Sequence, residues 1–172
     1  MIDYDLQILP ECFIDTVLAE TLVFPQRGYK HIKGCNKVLS EMNKKSNNAL
    51  LGIIDDDKCV PSSFKSFDLL RKHSENLAIY KHNKKPHYIV KIRKAAEDFI
   101  LKNVEKCNIS MIDYNLPDKL PDLIKQTKNI TSKNNPDLKR LFLAIKQNKN
   151  SDFYILAQWI EKFKINPYNL II

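Results

Sequence analysis

The sequence predicts an α/β fold in which a mostly parallel central sheet is flanked by helices. The first observation is an apolar segment of strand length, Leu50–Ile54, that ends in three consecutive aspartates at 55–57. The second is the alternation of short apolar segments with helical patterns over residues 6–104, which is typical of parallel strands joined by crossovers. The third is a C-terminal third with apolar residues at helical spacing. These patterns predict a sheet domain over residues 1–110 and a helical extension over 111–172 that packs on the same domain.

The elements before the aspartates are short and polar at their boundaries. A strand is expected at 6–9, because Pro10 blocks its extension. Four further elements follow: a helix at 12–22, a turn at Arg27-Gly28, an extended segment at 29–32 and a polar helix at about 36–45. The strand Leu50–Ile54 comes next, so the aspartates lie at the carboxyl end of a buried strand. In open α/β sheets, ligands bind at that end of the strands.

The middle of the chain continues the alternation. Its predicted elements are a helix that starts at 61–63 and carries Phe64, Phe67, Leu69 and Leu70, a strand at 76–80, a basic turn at 81–86, a strand at 87–92 and a helix at 94–104. These elements complete the predicted sheet.

The C-terminal third is predicted to be helical. A segment with two prolines, 115–121, opens it, and residues 125–135 are expected to form a flexible loop. Asn135-Pro136 is a favourable N-cap and first-turn pair for one helix, and Ser151 is a favourable N-cap for a second. Trp159 is interpreted as a core residue of the second helix.

Composition restricts the partners. The chain has 172 residues, 28 Lys and Arg against 20 Asp and Glu, and a formal net charge of +8. This excess favours polyanionic partners such as nucleic acid over cationic ones. The four cysteines are scattered without zinc-ligand spacing, and no apolar segment approaches the roughly 20 residues of a membrane span. We therefore expect a cytoplasmic, reduced protein with no membrane association.

Three carboxylates form a candidate metal site. Residues two apart in an extended segment project to the same side, so Asp55 and Asp57 are expected to converge while Asp56 points away. Glu11 lies just past the first predicted strand, and a parallel neighbouring strand would bring it to the same edge of the sheet. Mg²⁺, or Mn²⁺ in its place, prefers such oxygen ligands from different chain segments. The pattern predicts a divalent metal held by Glu11, Asp55 and Asp57.

In order and spacing, residues 5–58 resemble the Toprim domain, in which a strand ends in Glu and a later apolar strand ends in Asp-x-Asp. Toprim domains occur in topoisomerases, primases, small RNA-maturing nucleases and nucleases of the overcoming-lysogenization-defect group, where these acids bind Mg²⁺ for phosphodiester chemistry. The resemblance implies that Glu11, Asp55 and Asp57 are catalytic metal ligands. Cys12 and the segment 58–60 stand where the family commonly has glycines, a departure that bears on catalysis more than on fold.

The later segments 87–100 and 153–160 are similar to a compact group of bacterial Toprim-like proteins, several of them associated with phage defence. This similarity implies two further roles. Lys81, just past a predicted strand, would neutralise a scissile phosphate, and Glu97 would add a carboxylate if its helix begins at the same sheet edge. The function implied is metal-dependent hydrolysis of nucleic-acid phosphodiesters. The chain length agrees with hydrolysis, because the strand-passing and priming enzymes that share the domain carry further domains.

Other interpretations remain open from the sequence alone. Consecutive aspartates after a strand also cap helices or solvate turns, and Glu11 fits an ordinary first-turn acid. The main alternative function is a noncatalytic Toprim-like module that binds nucleic acid or a partner protein. A small-nucleotide sensor is a third, less supported because the chain has only three glycines and no glycine-rich phosphate loop. The four histidines are interpreted as surface or structural residues: His31, His73, His82 and His87.

Overall fold

The structure, a computed structural model, describes residues 4–56, 62–128 and 134–172. It contains a five-stranded sheet with helices on both faces, so the predicted α/β class is confirmed. The strands are β1 (Ile8–Pro10), β2 (Leu50–Asp55), β3 (Phe67–Lys72), β4 (Leu77–His82) and β5 (His87–Ile92). The helices are α1 (Phe13–Leu22), α2 (Cys35–Lys44), α3 (Ala96–Lys106), α4 (Leu120–Thr127), α5 (Pro136–Gln147) and α6 (Asp152–Ile165). Single turns of 3₁₀ helix lie at Tyr4–Gln7, Ser62–Ser66 and Ile112–Tyr114.

The sheet is mixed, and the prediction of a mostly parallel sheet is wrong. The strand order is β1-β2-β5-β4-β3. β1, β2 and β5 are parallel neighbours, whereas β4 is antiparallel to both β5 and β3. Only four residues, 83–86, join β4 to β5. A parallel connection needs about a dozen residues or more, so this link permits only an antiparallel hairpin.

A strand, β3, replaces most of the helix predicted after residue 61. The single 3₁₀ turn at Ser62–Ser66 places Phe64 against Phe67 and Tyr80, with ring centroids 5.7 and 5.0 Å away. From Phe67 the chain is extended and pairs with β4, with an irregularity between Leu69 and Arg71. This bulge adds one residue to the strand and breaks its alternation. The spacing of Phe64, Phe67 and Leu70 therefore resembles that of a helix, although the segment from Phe67 forms an edge strand.

One face of the sheet is covered by α2. Its residues Val38, Leu39 and Met42 pack with apolar side chains of the strands, among them Leu50 and Ile54. The contact is close at Gly52, where the methyl group of an alanine would lie 3.0 Å from Cγ1 of Val38 and 3.3 Å from Sδ of Met42. Gly52 therefore lets the helix rest directly on β2.

The opposite face carries the larger core, to which α1, α3, α5 and α6 all contribute. The predicted N-caps of the last two helices are confirmed. The side-chain oxygen of Asn135 accepts hydrogen bonds from the N–H groups of Asp137 and Leu138 at 2.9 and 3.3 Å. The hydroxyl of Ser151 accepts a hydrogen bond from the N–H group of Tyr154 at 3.1 Å. Trp159 is buried in this core, as predicted. Of the loop predicted at 125–135, residues 125–127 belong to α4, and residues 129–133 lie outside the described residues.

Several predicted elements differ in their bounds from those observed. β1 starts at Ile8 rather than Leu6. The extended segment at 29–32 is not a strand of the sheet, although its residues Lys30 and Ile32 donate N–H groups to the carbonyls of Ile8 and Pro10 at 3.1 and 2.9 Å. The turn predicted at 81–86 is shorter because β4 continues to His82. Among the described residues, no helix combines the length and apolar character that crossing a bilayer requires.

Candidate metal centre

Glu11 and Asp55 lie side by side because β1 and β2 are parallel neighbours. The pairing aligns Pro10 with Ile53, so both strands end at the same edge of the sheet. The N–H of Glu11 donates to the carbonyl of Ile53 at 3.0 Å, and Oε2 of Glu11 accepts the N–H of Asp55 at 3.0 Å. Both backbone and side chain of Glu11 are thus held against β2. The structure brings together two of the three acids that the sequence predicts as ligands.

The third predicted ligand, Asp57, lies outside the described residues. Its neighbour Asp56 is exposed and forms an ion pair of 2.9 Å with Nζ of Lys91. The N–H of Asp56 contacts the carbonyls of Ile92 and Lys94 at 2.8 and 3.0 Å. Asp56 therefore turns toward β5 and away from Glu11, which agrees with the expectation that it points away from the site.

Helix α1 adds a thiol and a further carboxylate to this edge. Cys12 is the N-cap residue, with φ −135° and ψ 175°. Its Sγ accepts the N–H of Asp15 at 3.4 Å, and its S–H donates to Oδ2 of Asp15 at 2.9 Å. This reciprocal pair resembles a capping box. One side-chain ligand atom from each of Cys12, Asp15 and Asp55 lies within 4.8 Å of the other two.

Asp15 is in an unfavourable place for a carboxylate. It is 0% exposed, and among the described residues its Oδ1 atom has no hydrogen-bond partner. Burial, together with the charges of Glu11 and Glu97, raises the pKa of Asp15 to about 7, against the lowering effect of the Cys12 thiol. Burial and the charges of Asp15 and Asp55 also raise the pKa of the Cys12 thiol. A cation at this position would reverse these effects, because it favours the charged form of every ligand.

Glu97 lies in the first turn of α3, near this group of acids. It is 8% exposed, and its Oε1 accepts a hydrogen bond from the hydroxyl of Thr127 at the end of α4. Because β5 is parallel to β2 and aligns Ile92 with Asp55, the helix α3 that follows β5 begins at the same edge of the sheet as Glu11 and Asp55. Glu97 therefore adds negative potential to the site.

The structure does not bring Lys81 to this edge, and its predicted role is corrected. Lys81 pairs with Tyr88, which in turn pairs with Leu51. Leu51 lies four residues before Asp55, roughly 13 Å along the strand at about 3.3 Å per residue. The prediction assumed that β4 runs parallel to β2. Because β4 is antiparallel to β5, its carboxyl end lies at the opposite edge.

Other cations lie at the edge that the acids occupy. Lys91, Arg93 and Lys72 are among the residues that line a groove of about 190 Å³ beside Asp56. Lys94 follows β5 and has φ 61°, an uncommon conformation for a residue with a side chain. Each of the three groove cations is ion-paired, Lys91 with Asp56 and both Lys72 and Arg93 with Glu75. A phosphate group would therefore compete with two carboxylates for them.

Three residues near the site were missed by sequence reasoning. Cys12 and Asp15 belong to the site itself. His31 lies beside it, with its ring stacked 4.4 Å from that of Phe13 and its Nδ1 3.2 Å from the hydroxyl of Thr16, which donates to the carbonyl of Cys12. The one available signal was Asp15 itself, a charged residue between Ile14 and Val17 in an apolar helix.

Comparisons of the chain with family models, with curated proteins and with solved structures found no match. The site must therefore be interpreted from its own geometry. It offers several carboxylate oxygens and one thiol at the carboxyl ends of two parallel strands. The unsatisfied Oδ1 of Asp15 and the group of mutually repelling acids fit a divalent cation.

Proposed function

We propose that this protein is a metal-dependent nuclease with a Toprim-like domain, acting on the phosphodiester bonds of nucleic acid. The observation that carries the proposal is the hydrogen-bonded pair of Glu11 and Asp55 at the carboxyl ends of β1 and β2. The resemblance of residues 5–58 to the Toprim domain implies that these two acids are ligands, and the parallel pairing of their strands supports this role. Association with phage defence and a place in the cytoplasm belong to the same proposal.

The residues of the chain have separate tasks in this proposal. Glu11, Asp55 and Asp57 hold the ion, Mg²⁺ or Mn²⁺, while Asp15 and Glu97 increase the negative potential that attracts it. Lys91 and Arg93 border the site and contact phosphates of the substrate. When bound, a divalent ion supplies an activated water and offsets charge that develops on the phosphate.

The net charge of +8 supports a polyanionic substrate. Nucleic-acid affinity should fall steeply as salt increases, because phosphate contacts release counterions. Fluorescence anisotropy of a labelled oligonucleotide over a series of salt concentrations measures this dependence. Affinity that does not change with salt would contradict the proposed phosphate contacts.

The deciding experiment is a cleavage assay with Mg²⁺ or Mn²⁺ on end-labelled single-stranded DNA, double-stranded DNA and single-stranded RNA. The wild type should cut at least one substrate, EDTA should stop the reaction, and Asp55→Asn should abolish it. Lys81→Gln is the matched control, since Lys81 lies at the opposite edge and its loss should leave cleavage unchanged. Failure to cut any substrate, or equal cleavage by Asp55→Asn, would contradict the proposal. Salt-dependent binding without cleavage would instead identify the noncatalytic module.

A further inference from the structure

We propose that Cys12 is a direct ligand of the metal, so that the site prefers a borderline transition ion such as Zn²⁺ or Co²⁺ to Mg²⁺. The inference deepens the proposed function, on which its biological meaning rests, by naming the class of ion. Sulfur ligands favour transition ions, whereas Mg²⁺ is bound almost entirely through oxygen. A ligand set of one thiolate and several carboxylates therefore differs in kind from one of carboxylates alone.

The distances fit coordination after a small adjustment. In a tetrahedral site with metal–sulfur bonds of about 2.3 Å and metal–oxygen bonds of about 2.1 Å, neighbouring sulfur and oxygen ligands lie roughly 3.5 Å apart. Here Sγ of Cys12 is 2.9 Å from Oδ2 of Asp15, and the ligand atoms of Cys12, Asp15 and Asp55 lie within 4.8 Å of one another. The expected sulfur–oxygen distance of roughly 3.5 Å thus lies between the observed Sγ–Oδ2 separation, 2.9 Å, and the upper limit of 4.8 Å. Three separate backbone positions on β2 and α1 already hold these atoms.

A second observation points independently to a ligand. Oδ1 of Asp15 is buried, and among the described residues it has no hydrogen-bond partner. The capping pair uses only Oδ2 and the thiol, so capping does not account for the burial of the second oxygen. Leaving a buried charged oxygen without a partner is unfavourable, because the oxygen loses its hydration and gains no hydrogen bond in return. An ion shared with Cys12 would supply the missing partner.

Helix capping is the simpler explanation for Cys12, and one substitution separates the two. Ser is a preferred N-cap residue, so Cys12→Ser keeps the acceptor for the N–H of Asp15 and preserves α1. The same substitution removes the soft ligand. If Cys12 only caps the helix, the variant should bind every metal as the wild type does.

The test is titration of the metal-free protein with Co²⁺, which gives a near-ultraviolet charge-transfer band when a thiolate binds it. The band should appear in the wild type and in the matched control Cys35→Ser, be absent in Cys12→Ser, and be removed by Zn²⁺ but not by millimolar Mg²⁺. By calorimetry, Cys12→Ser should weaken Zn²⁺ binding by at least about tenfold, the effect that loss of even an outer-shell partner can have. Circular dichroism checks that the variant is folded.

Three results would overturn the inference: no Co²⁺ binding, Co²⁺ binding in the wild type without a thiolate band, or a band that persists in Cys12→Ser. The outcome is independent of the nuclease proposal. A Cys12-dependent band in a protein that cuts no nucleic acid supports this site and contradicts the nuclease. Cleavage with Mg²⁺ that is equal in Cys12→Ser, together with no thiolate band, supports the nuclease and contradicts this site.

Discussion

The backbone N–H of Asp55 donates a hydrogen bond of 3.0 Å to Oε2 of Glu11, which joins the ends of two parallel strands through a side chain. The carboxylate of Glu11 therefore has a structural task as well as its proposed metal-binding task. Only an oxygen acceptor is needed for the first, whereas a negative charge is needed for the second. Because a glutamine amide also carries an acceptor oxygen, the two tasks can be separated by substitution.

Glu11→Gln should bind metal at least about tenfold more weakly than the wild type, while its free energy of unfolding in EDTA stays within about 1 kcal/mol. Glu11→Ala should lose metal binding and also about 1–3 kcal/mol of stability, because the N–H of Asp55 then loses this acceptor. Calorimetric titration with Mn²⁺ and urea unfolding in EDTA measure the two quantities. Undiminished metal affinity in Glu11→Gln would show that Glu11 is purely structural.

Asp15→Asn should stabilise the metal-free protein. At pH 8 the buried carboxylate is ionised beside Glu11 and Glu97, and removing its charge should raise the free energy of unfolding by on the order of 1–3 kcal/mol. The folded pKa, about 7, lies above the usual value of 3.8, so the contribution of Asp15 to stability is greatest below pH 3.8 and is lost as pH rises through 7. The advantage of the variant should therefore shrink as pH decreases below 7.

The same variant should lose its response to metal. The wild type should gain about 2.7 kcal/mol at an ion concentration one hundred times the dissociation constant, and Asp15→Asn should gain much less. Urea unfolding in EDTA and in Mn²⁺ checks both results, with the exposed substitution Asp68→Asn as a matched control. Lower stability of Asp15→Asn in EDTA would mean that the charged carboxylate stabilises the fold.

The parts of the fold that could be predicted from sequence are those fixed by local chemistry. The caps at Asn135 and Ser151 depend only on side chains a few residues from the N–H groups that they accept. The strand before Asp55 is set by its continuous apolar composition. The strand β3 could not be predicted in this way, because its apolar residues are spaced as in a helix. The bulge after Leu69 is what allows a segment with that spacing to pair as a strand. The direction of β4 was nevertheless available from the predicted turn at 81–86, because a link of six residues is too short for a parallel connection.

The candidate site was predicted in part for the same reason. Glu11 and Asp55 each follow a strand, and parallel strands necessarily bring their carboxyl ends together. Asp15 gave only a weak signal, a charged residue in a largely apolar helix, because an acid in the first turn of a helix is ordinarily explained by the helix dipole. Its complete burial depends on helices far along the chain that pack around α1. Sequence reasoning cannot recognise a buried charge until that packing is known.

Gly52 should be intolerant of a side chain while α2 keeps its position. In Gly52→Ala the new methyl group would lie 3.0 Å from Cγ1 of Val38, so the variant should lose about 1–3 kcal/mol of stability through overpacking. Val38→Ala alone should lose a similar amount by leaving a cavity. The double variant should lose clearly less than the sum, because each change relieves the other. Urea unfolding of the four proteins tests this, and strict additivity would show that the two residues do not compete for space.

His87 should make the protein less stable in mild acid. Burial lowers the pKa of His87, the charges of His82 and Lys85 lower it further, and the backbone carbonyls of Met42 and Pro86 oppose them in part. The unfolded chain, with the ordinary value of 6.5, therefore takes up a proton more readily than the folded protein. The contribution of His87 to stability is fully present above pH 6.5 and decreases as pH falls below it, with a slope of at most about 1.4 kcal/mol per pH unit.

Asp15 titrates in the same pH range, and its contribution to stability increases as pH falls, opposite to that of His87. The His87 prediction is therefore best measured in the Asp15→Asn background. From pH 7.5 to 5 the free energy of unfolding should decrease in Asp15→Asn and decrease less in Asp15→Asn/His87→Gln. A residual slope is expected from His82, whose pKa burial also lowers, and adding His82→Gln should reduce it further. Equal slopes with and without His87 would mean that its pKa is the same in the folded and unfolded chain. The folded protein would then tolerate protonation of His87 as readily as the unfolded chain does.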